Sequence, residues 1–240
     1  EGASSSVTVD FLPPGPSAGA TPEEIIAGFI AAGTAAQDNY HVARSYLSEQ
    51  IREDWNPNFS VLIQSGEPAI SVVSGNTASY AVPIIASVDE WGRYLGATAV
   101  TEQALEFRFV RELGEWRLSA LPDGIVLSES AFSEAFNSFR LYYFSSGYRE
   151  LVADVRWFAT RGEVSAKIVR ALLQAPSFWL DQGSTVSAFP EGTQLALTPI
   201  PVVDGVAAVD LTTQVLSADE ITRFRMLAQL TASLGQVQGI

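Results

Sequence analysis

The sequence predicts an α+β protein of two domains. Residues 21–128 open with helical periodicity and then change to a run of alternating strands, the order of an α+β unit. The stretch FRLYYFSSGYRELVADVRWFA, 139–159, is crowded with aromatics and broken once, at Ser145-Ser146-Gly147, as a strand–turn–strand should be. From Glu163 onward helix and strand signals alternate to the C-terminus.

The segments can be taken in order. Residues 1–20, with Ser4-Ser5-Ser6 and Pro13-Pro14-Gly15-Pro16, have the composition of an extended tether. Val7, Val9, Phe11 and Leu12 suit either that tether or an edge strand laid along a neighbouring domain. Thr21-Pro22-Glu23-Glu24 starts a helix: Thr21 caps, Pro22 occupies the first position and Glu24 completes a capping box. Ile25, Ile26, Phe29 and Ile30 form its apolar stripe, and Gly33 ends it. Two further helices are expected, from about Asn39 to Tyr46 and over Ser48–Trp55, before Asn56-Pro57-Asn58 stops helical structure.

Strands are then expected at 61–63, 69–73, 78–88, 99–111 and 116–121, with turns at Gly75-Asn76, Asp89–Gly92 and Leu113-Gly114-Glu115. Leu105, Phe107 and Phe109 alternate with Glu106, Arg108 and Val110, as in an antiparallel sheet with one face buried. Three helices followed by a curved antiparallel sheet is the cone-like order of ketosteroid-isomerase-like domains. The first domain is assigned to 21–128, and a short helix, 128–136, leads into the second, 129–240.

In the second domain, Arg140, Tyr142 and Phe144 share one face of a strand, and Leu141 and Tyr143 the other. A helix over 163–174 puts Val164, Ile168, Val169, Leu172 and Leu173 inward. Strands are expected over 193–200 and 202–211, with Asp204-Gly205 as a hairpin turn. Ser217-Ala218-Asp219-Glu220 reads as a second capping box, opening a helix whose inward residues would be Ile221, Phe224, Leu227, Ala228, Thr231 and Leu234. The expected architecture is a mixed sheet with two helices on one face.

Composition narrows the function. Fourteen Lys+Arg against 27 Asp+Glu give a net charge of −13 without any basic run, which argues against nucleic-acid binding. The chain has no cysteine, so disulfides, thiolate metal sites and cysteine nucleophiles are excluded. His41 is the only histidine, which excludes a His-rich metal site. No apolar run approaches the ~18 residues of a membrane-spanning helix. Nucleotide-loop, nucleophile-elbow and HExxH motifs are absent. A carboxylate base among Asp89, Glu90, Glu102 and Glu106, with Tyr80 or Tyr94 as phenol donor, is the one enzymatic arrangement left to weigh. Asp154 and Arg156 share a strand face with Trp157 on the other, a pattern that reads as a surface ion pair. Phe178 and Trp179 sit in the loop APSFWLD, 175–181, either as interface anchors or as plugs for one end of a core.

Several segments together carry a family resemblance: GPSAGATPEEIIAGFI (15–30), LYYF (141–144), ELVADVRWF (150–158), KIVRALLQAPSFWL (167–180), AFPEGTQL (188–195) and PIPVVDGVAAVDL (199–211). In this order they resemble the LpqB family of actinobacterial envelope lipoproteins, and the second domain resembles a GerMN domain. The resemblance implies a protein lipid-anchored on the outer face of the cell membrane; that it is non-enzymatic, without cofactor or metal, is expected from the residues themselves, which offer no convergent reactive groups. The resemblance also implies a C-terminal β-propeller and association with the extracytoplasmic part of the MtrB sensor kinase of the MtrAB two-component system. Neither a lipid-accepting cysteine nor a propeller is among these 240 residues, so a soluble portion lying between anchor and propeller is expected. Phe178, Trp179, Tyr142 and Trp157 are the expected contact residues for a protein partner. The alternative is a binding module for a small envelope ligand or cell-wall glycan, with Tyr142, Tyr143, Trp157 and Trp179 as stacking surfaces. Apolar edges left without the propeller would be a further contact surface.

Overall fold

A computed structural model of the chain describes residues 13–181 and 183–240. It divides into two compact units, one of residues up to Ile85 with Ala99–Ser128, the other of Ala86–Thr98 with Glu129–Ile240. Residues 86–98, placed by sequence in the first domain, therefore group with the second unit. The strand or tether expected at Val7, Val9, Phe11 and Leu12 lies outside the described residues. The part of the tether that is described does not hang free: the Tyr46 hydroxyl donates to Pro14 O at 2.9 Å, and Gly19 N donates to Glu115 Oε2 at 2.7 Å. A largely buried phenol needs a partner, and the proline carbonyl supplies it.

In the first unit, helix α1 (Pro22–Ala32) has the capping box: Glu24 N donates to Thr21 Oγ1, and Thr21 N to Glu24 Oε2. It buries Ile25, Ile26, Phe29 and Ala32. The second expected helix shrinks to one turn, α2 (His41–Arg44), because Asp38, Asn39 and Tyr40 all take left-handed φ of 48°, 54° and 59°. The third, Ser48–Trp55, is a chain of hydrogen-bonded turns. The cone-like three-helix cover is thus one full helix and its short neighbours.

Among the described residues six strands make the sheet: β1 (Ser60–Gln64), β2 (Ala69–Ser74), β3 (Thr77–Asp89), β4 (Tyr94–Glu112), β5 (Glu115–Ala120) and β6 (Ile125–Ser128). Their order is β5-β4-β3-β1-β6, with β2 also on β3. Strand β6 was not expected, and it pairs parallel with β1, from Val61↔Ile125 to Gln64↔Ser128, in a sheet predicted to be antiparallel. Strict alternation along β3 buries Ala78, Tyr80, Val82 and Ile84 in this unit, and β4 adds Leu105, Phe107 and Phe109. Phe29 packs edge-on against Trp55 and Phe107, with centroids 5.2 and 6.3 Å away.

The second unit follows α3 (Glu129–Ala135) with β7 (Phe136–Ser145) and β8 (Leu151–Ala159), paired antiparallel from Phe136↔Ala159 to Phe144↔Leu151. β9 (Thr185–Val186) joins the other edge of β7 at Phe144 and Ser145, giving the order β8-β7-β9. This sheet was expected to be mixed, but its pairs among the described residues are all antiparallel. The strands expected over 193–200 and 202–211 reduce to a bridge, Leu195↔Leu211, and a hairpin of β10 (Val202–Val203) with β11 (Val206–Ala207). Asp204 and Gly205 have φ of 51° and 78°, the conformation that the Asp-Gly pair predicts for this turn.

Helices α4 (Val164–Leu172) and α5 (Glu220–Leu234) both pack on β7. The buried core joins Leu141, Tyr143, Phe144 and Phe158 to Ile168, Val169, Leu172 and Met226. Two expectations for α5 are corrected. Its cap is Asp219, whose carboxylate accepts from Thr222 N at 2.8 Å, and not Ser217. Its inward face carries Met226, Gln229, Ser233 and Leu234, leaving Ile221, Phe224 and Leu227 exposed. Polar groups replace apolar ones on that face because they bond backbone: Gln229 Oε1 accepts from Ala188 N, and Ser233 Oγ from Tyr142 N.

Candidate contact surface

Strand alternation turns Asp154, Arg156 and Phe158 of β8 into the second unit, and all three are buried. Asp154 and Arg156, expected to be a surface pair, are fully buried. Charges so placed must be both paired and hydrogen-bonded. Arg156 Nε and Nη2 reach Asp154 Oδ2 at 3.0 and 2.6 Å, and Ser177 N donates to the same oxygen at 2.8 Å. The Ser177 hydroxyl takes Asp154 Oδ1 at 2.7 Å. Arg156 Nη1 donates to Trp91 O at 3.0 Å and Nη2 to Ala175 O at 3.4 Å.

Other groups fasten the same loop. Arg93 Nη2 donates to Ala175 O at 2.8 Å, and Arg93 is itself paired with Asp89 at 3.5 Å. Ser177 O accepts from Leu180 N and Asp181 N, closing the turn. The Tyr143 hydroxyl donates to Ala171 O and Gln174 O, where α4 runs out into the loop. Burial pushes the Tyr143 phenol up; the positive charge of Arg156 opposes this and the carboxylate of Asp154 adds to it. Trp157 N donates to Gly92 O at 2.8 Å, joining residues 86–98 to β8. Gly92 has φ of 78°, and a Cβ there would lie 2.7 Å from the Phe158 ring, so glycine is required at this approach.

What this framework presents is Phe178 and Trp179, 81% and 64% exposed on a loop whose backbone is held on both sides. Of the two readings of these residues, plugging a core end is therefore removed. The other expected contact residues are placed differently. Trp157 packs against Phe132 at 5.3 Å and Tyr94 at 5.9 Å, within the hydrophobic packing of the unit. Tyr142 is half-buried beside α5, and Tyr143 is wholly buried and has no ring face to offer a sugar. The sequence did not single out Ser177 or Arg93, which hold the loop; their only signal was a short polar residue after Pro176 and an arginine after a hairpin tip.

The enzymatic arrangement does not assemble. Glu102 and Glu106 face outward, the Tyr80 hydroxyl bonds Gln64 Oε1 at 3.1 Å, and Asp89 Oδ1 closes the hairpin tip by accepting from Trp91 N and Arg93 N. The cavity beside α1 and the sheet holds only about 30 Å³; its wall is mostly apolar, with Phe29, Ile30, Leu62, Leu105 and Phe107, and its one carboxylate, Asp123, is exposed and accepts from Asn56 N at 2.8 Å. His41 is exposed, and no cluster of His, Asp and Glu able to hold a metal is found among the described residues.

Residues 15–133 match the family model described as the N-terminal domain of lipoprotein LpqB. Residues 140–240 match the Germane model, described as sporulation and spore germination. The chain belongs to the LpqB lipoprotein family. It is 28% identical to lipoprotein LpqB of Bifidobacterium longum over 236 residues, covering 93% of this chain and 41% of that one. Against lipoprotein LpqB of Cutibacterium acnes it is 27% identical over 235 residues, 97% of this chain and 39% of the relative. Against that of Streptomyces coelicolor it is 32% identical over 199 residues, 74% and 32% respectively. The chain thus spans about two fifths of the length of the first of these LpqB relatives. No solved structure matches it. Each of these relatives is named as a lipoprotein. Among the described residues no helix is long and apolar enough to cross a membrane.

Proposed function

We propose that this chain is a non-enzymatic contact module on the outer face of the cell membrane, held there by a lipid anchor in the full-length protein. Its partner is the extracytoplasmic domain of a membrane sensor kinase, MtrB of the MtrAB system. The observation that carries this reading is the exposure of Phe178 and Trp179 on a backbone fixed by the Asp154–Arg156–Ser177 network. Large aromatics dominate the energy of protein interfaces, and a loop fixed beforehand loses little entropy on docking. Regulation follows if the module binds one state of the kinase more tightly than the other. The exposed face of α5, with Ile221, Phe224 and Leu227, is a second apolar patch, suited to a following propeller domain.

The test is calorimetric titration of the chain against the kinase's extracytoplasmic domain, with Trp179→Ala in parallel. Saturable heat that the substitution removes supports the reading. No heat at concentrations well above micromolar sinks it, and saturation by muropeptides at Trp179 would replace it with glycan binding.

A further inference from the structure

Trp91 stands at the tip of the β3–β4 hairpin with its backbone held at both ends. Its N–H donates to Asp89 Oδ1 at 2.9 Å, and its carbonyl accepts from Arg156 Nη1 at 3.0 Å. Its half-buried side chain lines a pocket of about 240 Å³ within the second unit. Leu173 and Leu195 add apolar wall, and the polar wall is Arg170, Gln174, Thr193 and Gln194. The backbone beneath these polar residues is fixed. Arg170 belongs to α4, and Gln174 N donates to Ala171 O just beyond the end of that helix. Gln194 makes two bonds with Thr212: its N–H donates to Thr212 Oγ1 and its carbonyl accepts from Thr212 N, both at 3.0 Å. Thr193 turns its hydroxyl to Pro190 O at 2.6 Å. The other three polar side chains are left over by the fold. Among the described residues, the side-chain amides of Gln174 and Gln194 have no protein partner, and the Arg170 guanidinium reaches only Thr198 Oγ1, at 3.4 Å. No carboxylate of the described residues lies within 4 Å of it, and on α4 it repels Lys167, another cation.

We propose that this pocket binds a single pyranose ring bearing a carboxylate. The lining selects each part of that ligand. An arginine without an anionic partner takes a carboxylate through charge-assisted, two-pronged bonds, and no acidic residue lines the pocket to oppose it. Primary amides both donate and accept, as sugar hydroxyls do, so Gln174 and Gln194 suit a ring that carries several of them. The apolar C–H face of a pyranose packs on Trp91, with Leu173 and Leu195 beside it. The volume lies just below the roughly 300–1,000 Å³ of sites for drug-sized ligands, so the occupant is one ring and not a chain of sugars. Walls fixed beforehand lower the cost of ordering on binding. Phe178 and Trp179 are not part of the lining, so the site stands or falls apart from the kinase contact.

The test titrates the whole chain with D-glucuronate, methyl glucoside and inorganic phosphate, following amide and indole N–H signals by NMR. Glucuronate is expected to saturate at roughly millimolar concentration, the range open to so small a ligand. It should shift the Trp91 indole signal and leave that of Trp179 in place. Methyl glucoside should bind roughly tenfold more weakly, for want of one charge-assisted contact. Arg170 and Gln194 are both exposed, so their variants should keep the melting curve. Arg170→Gln should make the two sugars equal, and Gln194→Ala should weaken both. Trp91→Ala should abolish both; should that variant not fold, the other two decide. Phosphate binding as tightly as glucuronate would reduce the site to a bare cation and overturn the proposal. Equal binding of the two sugars by the unaltered chain, an undiminished preference in Arg170→Gln, or shifts centred on Trp179 would overturn it as well. So would the lack of saturation at roughly ten times the expected concentration.

Discussion

Ser177 donates its hydroxyl to Asp154 Oδ1 at 2.7 Å and its amide to Oδ2 at 2.8 Å, so a single loop residue saturates what Arg156 leaves of a buried carboxylate. The pair and the loop depend on each other. Asp154→Ala strands the Arg156 charge in the interior and should cost about 3–5 kcal/mol. Ser177→Ala leaves an oxygen short of a donor and should cost about 1–3 kcal/mol. Replacing both ions by apolar residues, Asp154→Leu with Arg156→Met, should recover much of the loss, because the desolvation of two charges is no longer required. Urea unfolding of the three variants checks the order. A double variant no more stable than Asp154→Ala would refute it.

Phe178→Ala and Trp179→Ala should separate folding from contact. Both side chains are exposed, so unfolding free energy should change by less than about 0.5 kcal/mol. Binding to the kinase domain should weaken by about 2 kcal/mol for at least one of them. Ser177→Ala touches no partner, yet it frees the loop and should weaken binding as well. Full affinity in Ser177→Ala would mean that the network supports the fold alone.

What was legible in the sequence was what local rules encode. Thr21 and Glu24 sit three apart and make their box; Asp204-Gly205 makes its hairpin; Leu105, Phe107 and Phe109 alternate inward. Three features escaped because they depend on distant partners. Asp154 and Arg156 two apart on a strand look like a surface pair until residues 86–98 and Ser177 cover them. Strand β6 is a short apolar run whose parallel partner is some sixty residues earlier, so no hairpin signal announces it. On α5, apolar periodicity pointed to Ile221, Phe224 and Leu227, whereas the inward positions include Gln229 and Ser233, chosen for the backbone groups they meet. The loop and strand aromatics followed the same division: the exposure of Phe178 and Trp179 agrees with their place in a loop, while the packing of Trp157 against Phe132 required the fold.

Burial pushes the Tyr40 phenol from 10.0 up to about 12. The sign is set by the neutral form, which the folded state prefers. Below pH 10 both states are protonated and the contribution is fully present. Between pH 10 and about 12 the unfolded chain ionises first, and stability falls with rising pH. Two pKa units correspond to about 2.7 kcal/mol. Tyr143 is raised in the same direction and adds to the alkaline limb. Tyr40→Phe should therefore flatten that limb while leaving stability between pH 6 and 9 comparatively little changed. Chemical denaturation across the range reads it; an undiminished slope in Tyr40→Phe would show that other groups produce the loss.

Two glycines with nearly equal φ allow conformation and close approach to be told apart. Gly124 has φ of 98°, and a Cβ there would lie 2.4 Å from Ser60 O; Gly114 has φ of 88° with nothing within 4 Å. Alanine is strained at either angle, at a cost of roughly 1–3 kcal/mol. Only at Gly124 must a backbone carbonyl also move, and it belongs to Ser60, the first residue of β1, one position before the parallel pair begins at Val61↔Ile125. Gly124→Ala should thus exceed Gly114→Ala by about 2 kcal/mol, within the range of overpacking at a closed site. It should also raise amide exchange along Ile125–Leu127, whereas Gly114→Ala should disturb only its own turn. Equal losses in the two variants would mean that the approach of residue 124 to β1 contributes nothing beyond the left-handed angle.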